Sequence, residues 1–125
     1  MSASEIKTIN LQEKYKLINE HWSPKIIGEL NGQHVKLAKI KGDFIWHHHD
    51  EEDELFMVIK GILFMDFRDR TEVIREGEII IVPKGVEHRP RTEDKEVHIM
   101  LFEPMSTLNT GEVKNERTKE NLEKI

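Results

Sequence analysis

An all-β fold, a sandwich or closed barrel, is what this sequence predicts, and three observations predict it. Short runs of strand length recur from residue 25 to residue 103. Turn residues separate them at close intervals, at Gly42-Asp43, Lys60-Gly61, Asp69-Arg70, Glu76-Gly77, Lys84-Gly85 and Glu93-Asp94. Only one stretch carries a helical cue. Many short strands with tight connections and almost no helix are the signature of a small β architecture.

The helical cue comes first in the chain. Asn10 is suited to cap a short helix, Glu13 follows three residues later, and Leu11, Tyr15 and Ile18 fall at i, i+4 and i+7. A single helix laid across the barrel, stopped by Pro24, is the expected result. Asn31-Gly32, set between Ile26-Ile27 and Val35-Leu37, marks a two-residue hairpin because both residues tolerate positive φ. Strands are expected at 33–41, 44–49, 54–60, 62–68, 71–75, 78–82, 86–91 and 96–103. After about Ser106 the text is polar and charged, with Leu108, Val113, Leu122 and Ile125 as its apolar residues. This tail either drapes over the barrel or frays. The expected organisation is an N-terminal segment with a short helix over 1–23, a β-barrel over 24–105 and a polar tail over 106–125, without repeats or linkers.

Composition narrows the function classes. A chain of 125 residues suits one domain burying roughly two thirds of its unfolded surface. The net charge of −5 argues against a nucleic-acid surface, which normally carries a basic patch. Without cysteine there are no disulfides and no thiolate metal ligands, so a reducing cytoplasm is the default location. The opening Met1-Ser-Ala-Ser-Glu-Ile-Lys has no apolar core of the kind a signal peptide needs. No apolar run approaches the roughly 20 residues required to span a bilayer, and no membrane association is expected.

The chemistry is concentrated in two segments. The first runs from Gly42 through Trp46-His47-His48-His49 to Glu54 and Gly61; the second is Gly77-Glu-Ile-Ile-Ile-Val-Pro83-Lys-Gly85-Val-Glu-His88. In an extended strand His47 and His49 share one face while His48 takes the other. Two imidazoles on one face, joined by Glu54 and His88 from neighbouring strands, would form a four-ligand set of neutral nitrogens and one carboxylate.

These spacings resemble the cupin superfamily. Its first motif is Gly, His-x-His, Glu after three or four residues, and Gly after six more. Here His49 is followed by four residues, Glu54, six residues and Gly61. Its second motif, Gly-x5-Pro-x-Gly-x2-His, is matched without gaps by Gly77, Pro83, Gly85 and His88. The resemblance implies a single-domain jelly-roll barrel (a double-stranded β-helix) with one metal ion held inside by those four residues. It also implies side-by-side packing of two barrels. The chain is similar to small stand-alone bacterial cupins without an assigned activity, including the Leu108-Asn-Thr-Gly111 stretch.

Two departures from the motif stand out. Four residues separate Gly42 from His47, where the commonest form has five. Five would shift the ligands to His48 and Asp50, with Glu54 three residues on, and a one-residue slip exchanges the two faces of a strand. His47 and His49 are preferred because imidazole is usual at both positions. Four residues beyond His88, Thr92 stands where the family often has Asn, a change that bears on substrate contacts rather than on the metal.

By parity Phe56 and Val58 share the face of Glu54, giving an apolar pocket wall. Pro90 and Thr92 share the face of His88, and Arg89 and Arg91 point outward. His98, on the last strand, is a candidate for the same cavity or a structural histidine; His21 and His34 carry no functional signal. Asp50-Glu51-Glu52-Asp53 lacks the alternate spacing of a calcium loop and reads as a solvated turn. Arg68-Asp69-Arg70 reads as an exposed hairpin tip. Leu55, Met57 and Ile59 leave the opposite face of the same strand apolar, which requires a cover. A homodimer supplies one, and Glu5, Lys7 and their neighbours are the alternative within one chain.

Three imidazoles and a carboxylate suit iron, manganese, nickel, copper or zinc. A divalent ion there keeps a net charge of about +1, which favours a small anionic or chelating molecule as ligand. An octahedral ion leaves two open positions, whereas tetrahedral zinc leaves none. The readings are therefore a metal-dependent enzyme with dioxygenase-like chemistry, a non-catalytic binding or sensing protein, and a purely structural metal. A sugar-phosphate isomerase would need convergent cations. Lys36 and Lys39 lie on opposite faces of their strand, so at most one points inward.

Overall fold

The computed structural model describes residues 3–125; Met1 and Ser2, the start of the expected N-terminal segment, lie outside the described residues. A 3-10 turn at Ala3–Glu5 and a helix α1 at Leu11–Tyr15 precede eight strands: β1 Lys25–Leu30, β2 Gln33–Ile40, β3 Glu54–Lys60, β4 Leu63–Asp66, β5 Thr71–Ile74, β6 Ile79–Val82, β7 Arg89–Arg91 and β8 Val97–Pro104. They form a five-stranded sheet in the order β1-β2-β8-β3-β6 and a three-stranded sheet in the order β5-β4-β7, with every pairing antiparallel. This is the expected all-β jelly-roll.

The Asn10 cap forms as expected, its side-chain oxygen accepting from the Glu13 N–H at 3.0 Å. Pro24, however, does not end the helix. The helix spans Leu11–Tyr15 and its last i→i−4 bond runs from Lys16 N–H to Gln12 O, after which the chain tightens into bonds from Leu17 N–H to Lys14 O and from Ile18 N–H to Tyr15 O. Asn31 and Gly32 turn the β1–β2 hairpin with φ of 49° and 77°, the pair of positive values that a tight hairpin demands.

Two expected strands differ. Residues 44–49 form no regular strand, and the run expected at 86–91 is reduced to Arg89–Arg91. The two stretches still lie side by side, bridged at Asp43–Arg91 and at His47–His88. Three residues separate the bridges on one side and two on the other, so the pairing contains a bulge. Pro90 explains part of it: its carbonyl accepts from Phe44 N–H, but it has no N–H to return.

Alternation decides what is buried. In β8 the burial pattern alternates strictly, with Val97, Ile99, Leu101 and Glu103 inside and His98, Met100, Phe102 and Pro104 less buried. The main core joins Ala38, Ile40, Phe56, Val58, Leu63, Met65, Ile74, Val82, Val97, Ile99 and Leu101 between the sheets. A second cluster forms on the outer face of the large sheet, where Tyr15, Ile18 and Leu37 pack with Ile59, Met100 and Ile125. Residues 3–10, including Glu5 and Lys7, are exposed. The cover on that face is thus α1 and the residues just after it, not the extreme N-terminal segment, because α1 is the stretch that presents apolar side chains together.

The tail drapes. Ile26 N–H donates to Glu123 O and Ile125 N–H to Ile26 O, fastening the chain end to the edge strand β1. Upstream, Glu112 N–H donates to His48 O at 2.9 Å, and the Arg117 guanidinium donates to Asp43 O at 3.0 Å. Thr110 is completely buried.

Candidate metal centre

His47, His49, Glu54 and His88 converge. One ligand-type atom from each lies within 4.8 Å of the others, and all four residues are buried. Glu54 is the first residue of β3, facing inward. His47 and His88 are directly paired, exchanging both backbone bonds at 3.0 and 2.9 Å, so one bridge carries two of the imidazoles. His49 is held two residues on, its carbonyl accepting from Gly85 N–H at 2.7 Å. His48 faces outward, with its Nε2 3.1 Å from Asp50 and a side chain 39% exposed. Asp50 is exposed as well, so the register places His47 and His49 together and sends the rival pair to solvent.

The ring orientations suit a cation. His47 Nδ1 lies 2.9 Å from Ile45 O and His88 Nδ1 2.9 Å from Val86 O. A carbonyl can only accept, so each Nδ1 carries the proton and each Nε2 presents a lone pair. Burial, and then the neighbouring His88, bring the His47 pKa down to about 4, which keeps that imidazole neutral near pH 7. His49 Nε2, Glu54 Oε1 and His88 Nε2 are buried without a hydrogen-bond partner. His49 Nε2 and Glu54 Oε1 are only 2.8 Å apart, but their angles are not those of a hydrogen bond; both address common space. Orphaned buried acceptors are costly, and a divalent cation is the species that satisfies such a set at once. These residues fit a metal ion.

The adjoining cavity has about 40 Å³ of free space, room for a few water-sized groups. His47 and Glu54 line it with Phe56, Ile99, Leu101, Ala38 and Pro90, and Trp22, Phe44, Asn109 and Leu122 also contribute. Phe56 is one of the residues lining this cavity. Val58 is fully buried one pair further along the core and does not reach the cavity. Thr92 is buried too, but its hydroxyl accepts from Gly42 N–H at 2.8 Å and donates to Glu93 O; it holds a turn. His98 sits on the outer face, stacked on Tyr15 with ring centroids 4.4 Å apart, and its Nε2 is 3.0 Å from Glu96, which also meets His21 at 2.7 Å. Strand alternation in β8 puts His98 outside.

Two buried charged residues also line the cavity, Lys36, one of the two lysines weighed for an inward position, and Glu103, which the sequence reading did not single out. Lys36 is the inward-facing lysine of β2, 2% exposed, and its Nζ donates to Glu103 Oε1 at 2.7 Å; both residues line the cavity. Glu103 in turn touches Glu54. Burial pushes the Glu103 pKa well up, and the Glu54 charge adds to the rise against the opposing pull of Lys36. Burial acts on Glu54 in the same sense but is outweighed by Glu103, His49 and His88, which hold its carboxyl well below the usual range. The signal was present in the text, since Glu103 occupies the apolar face of Val97-x-Ile99-x-Leu101-x-Glu103 and a charge on that face needs a partner. The acidic turn is solvated as expected at Asp50, Glu51 and Asp53, with Glu52 only partly buried. Glu52 accepts from the Ser106 hydroxyl at 2.8 Å and Asp53 from Lys84 N–H at 2.8 Å.

Among the described residues, no helix is long and apolar enough to cross a membrane. Comparison with known proteins places the fold and site in context. A family model described as "Cupin domain" matches residues 33–103. A solved cupin-2 domain containing protein from Shewanella frigidimarina NCIMB 400 is 45% identical, with a TM-score of 0.74 over 77% of this chain and 93% of that one. The uncharacterized protein YdbB of Bacillus subtilis is 40% identical over 76 residues, 60% of this chain and 67% of that protein. An acireductone dioxygenase from Puccinia graminis f. sp. tritici is 27% identical over 105 residues, 78% of this chain; the match spans 54% of that enzyme.

Proposed function

The chain belongs to the cupin family, and from that premise we propose that it is a metal-dependent enzyme with dioxygenase-like chemistry. In this reading His47, His49, Glu54 and His88 hold one divalent transition-metal ion, and the substrate is a small anionic or chelating molecule. The observation that carries it is the set of buried, partnerless polar atoms of His49, Glu54 and His88 beside a neutral His47. The likeness to acireductone dioxygenase supports the choice of oxygen chemistry.

When bound, the ion polarises substrate oxygens and offers open positions for chelation. The remaining work falls to the chain. Ile45 and Val86 carbonyls orient two imidazoles. Phe56, Ile99 and Leu101 exclude bulk water, which strengthens electrostatic interactions within. The tail, through Asn109 and Leu122, closes one side of the cavity.

Elemental analysis of protein from its native host, beside a His88→Ala variant, tests the site: the wild type should carry about one transition metal per chain and the variant far less. Equal metal content would refute the ligand assignment. Oxygen uptake by iron-, copper- and nickel-loaded protein with diketones, enols and phenols tests the chemistry. Silence across all of them, with metal bound, would favour a non-catalytic binding protein.

A homodimer goes with this reading. On the outer face of the large sheet Leu55 and Met57 are only partly buried, and Ile79 and Ile81 are 52% and 58% exposed. An apolar patch on a sheet face, away from the cover of α1, is suited to a second copy. A cytoplasmic location is proposed with it, consistent with a chain that has no cysteine.

A further inference from the structure

Resting on the metal reading above, we propose that Lys36 is the second anchor of the same site and that the ligand class is a small 2-oxo or 2-hydroxy carboxylate. Three observations lead there. Lys36 is an ammonium 2% exposed that lines the cavity of His47 and Glu54. Among the described residues its Nζ makes one hydrogen bond, to Glu103 Oε1 at 2.7 Å, and an ammonium has three hydrogens to donate. Glu103 Oε2 is buried without a hydrogen-bond partner.

Register brings this pair to the metal. Lys36 pairs with Leu101 on β8 and Leu101 with Phe56 on β3. Lys36 thus lies two strands across from Phe56, about 10 Å by backbone spacing; Glu54 is two residues further along β3, and Glu103 bridges the gap by touching both Lys36 and Glu54. The long lysine stem brings its ammonium to Glu103, which touches the ligand Glu54. Between the two polar poles the walls are apolar, formed by Ala38, Ile99, Leu101 and Phe56.

Charge and coordination then select the ligand. A divalent ion with Glu54, set beside the buried Lys36 ammonium that lines the same cavity, leaves the cavity positively charged, which favours an anion. A ligand with two adjacent oxygens would chelate an ion held by these residues. A carboxylate with an oxo or hydroxy group on the next carbon supplies both, and its outer carboxylate oxygen is left facing Lys36 for a charge-assisted hydrogen bond. The limited room in the cavity restricts the class to short chains.

The test uses the cobalt(II)-loaded full chain, titrated with pyruvate and separately with azide while the visible spectrum of cobalt is followed. Removing Lys36 alone would leave Glu103 buried without its partner, so the variants are the neutral pairs Lys36→Met/Glu103→Met and Lys36→Gln/Glu103→Gln, which leave no lone buried charge and roughly keep volume. Each should hold cobalt at the wild-type stoichiometry and bind azide, which needs only the metal, as the wild type does. Pyruvate affinity should fall at least tenfold. Unchanged pyruvate affinity, or an equal loss for azide, would overturn the role of Lys36. Failure of the wild type to bind cobalt would instead strike the metal reading itself. A crystal structure of the wild-type cobalt–pyruvate complex with the carboxylate turned away from Lys36 would overturn the proposal without any variant.

Discussion

Gly111 packs directly against the backbone carbonyl of His48. A Cβ built at Gly111 would collide with that oxygen and would meet the His47 ring at 3.2 Å. Its φ of +58° is also left-handed. The tail is therefore pressed onto the backbone between two candidate ligands, and the bond from Glu112 N–H to His48 O holds it there.

Gly111→Ala should accordingly destabilise the protein by about 2–3 kcal/mol, combining backbone strain and collision. Metal affinity should fall with it, since the His47–His49 segment must shift to make room. Urea unfolding and metal competition read the two effects. An unchanged unfolding midpoint would mean that the tail does not seat against His48.

The histidine register makes its own prediction. His47→Ala and His49→Ala should each lose most of the bound metal, whereas His48→Ala and Asp50→Ala should keep it, because both of those side chains are substantially exposed. Metal content per chain is the measurement. Loss in the second pair with retention in the first would reverse the assignment.

Asp66 predicts an acid-side dependence remote from the metal centre. Burial favours its neutral form, but hydrogen bonds from Arg91 at 2.8 Å, Thr71 at 2.7 Å and Arg89 at 2.9 Å outweigh it, and the pKa lies below its ordinary 3.8. A carboxyl with a depressed folded pKa stabilises the fold fully above its unfolded value and loses that contribution as pH falls through the folded one. Asp66→Asn should cost about 2 kcal/mol at pH 7. Its stability should also fall less steeply than the wild type's below pH 4. Parallel curves for the two proteins in that range would refute the assignment.

Ile81→Lys and Ile79→Lys should leave the isolated fold intact, since both side chains are largely exposed, while abolishing self-association through the large sheet. Sedimentation of wild type and variants decides it: a wild type that is monomeric at micromolar concentration removes the reason for that exposed apolar patch to be an interface between copies.

Some features were legible because they depend on neighbours in sequence. The Asn10 cap, the Asn31-Gly32 hairpin and the alternation of Val97–Glu103 follow from local backbone geometry, and the spacing of His47, His49, Glu54 and His88 was enough to expect convergence. Other features were not legible locally. Residues 44–49 have strand-like text, yet their partner stretch contains Pro90, and a missing N–H across the sheet cannot be read from 44–49 alone. The outward position of His98 required knowing which parity of β8 faces the core.

Sequence by itself determined the all-β class and the strand alternation, which rest on periodicity along one chain; through the cupin resemblance it preferred His47, His49, Glu54 and His88 as ligands, with His48 and Asp50 as the rival register. Only the tertiary structure decided that Lys36 and Glu103 meet beside Glu54, that α1 covers the outer face, and that Gly111 seats the tail on His48. The Lys36–Glu103 contact joins residues 67 positions apart, and the bond from the Tyr15 hydroxyl of α1 to Ile99 O joins residues 84 apart. They depend on sheet register and side-chain reach in three dimensions, which no short-range pattern encodes.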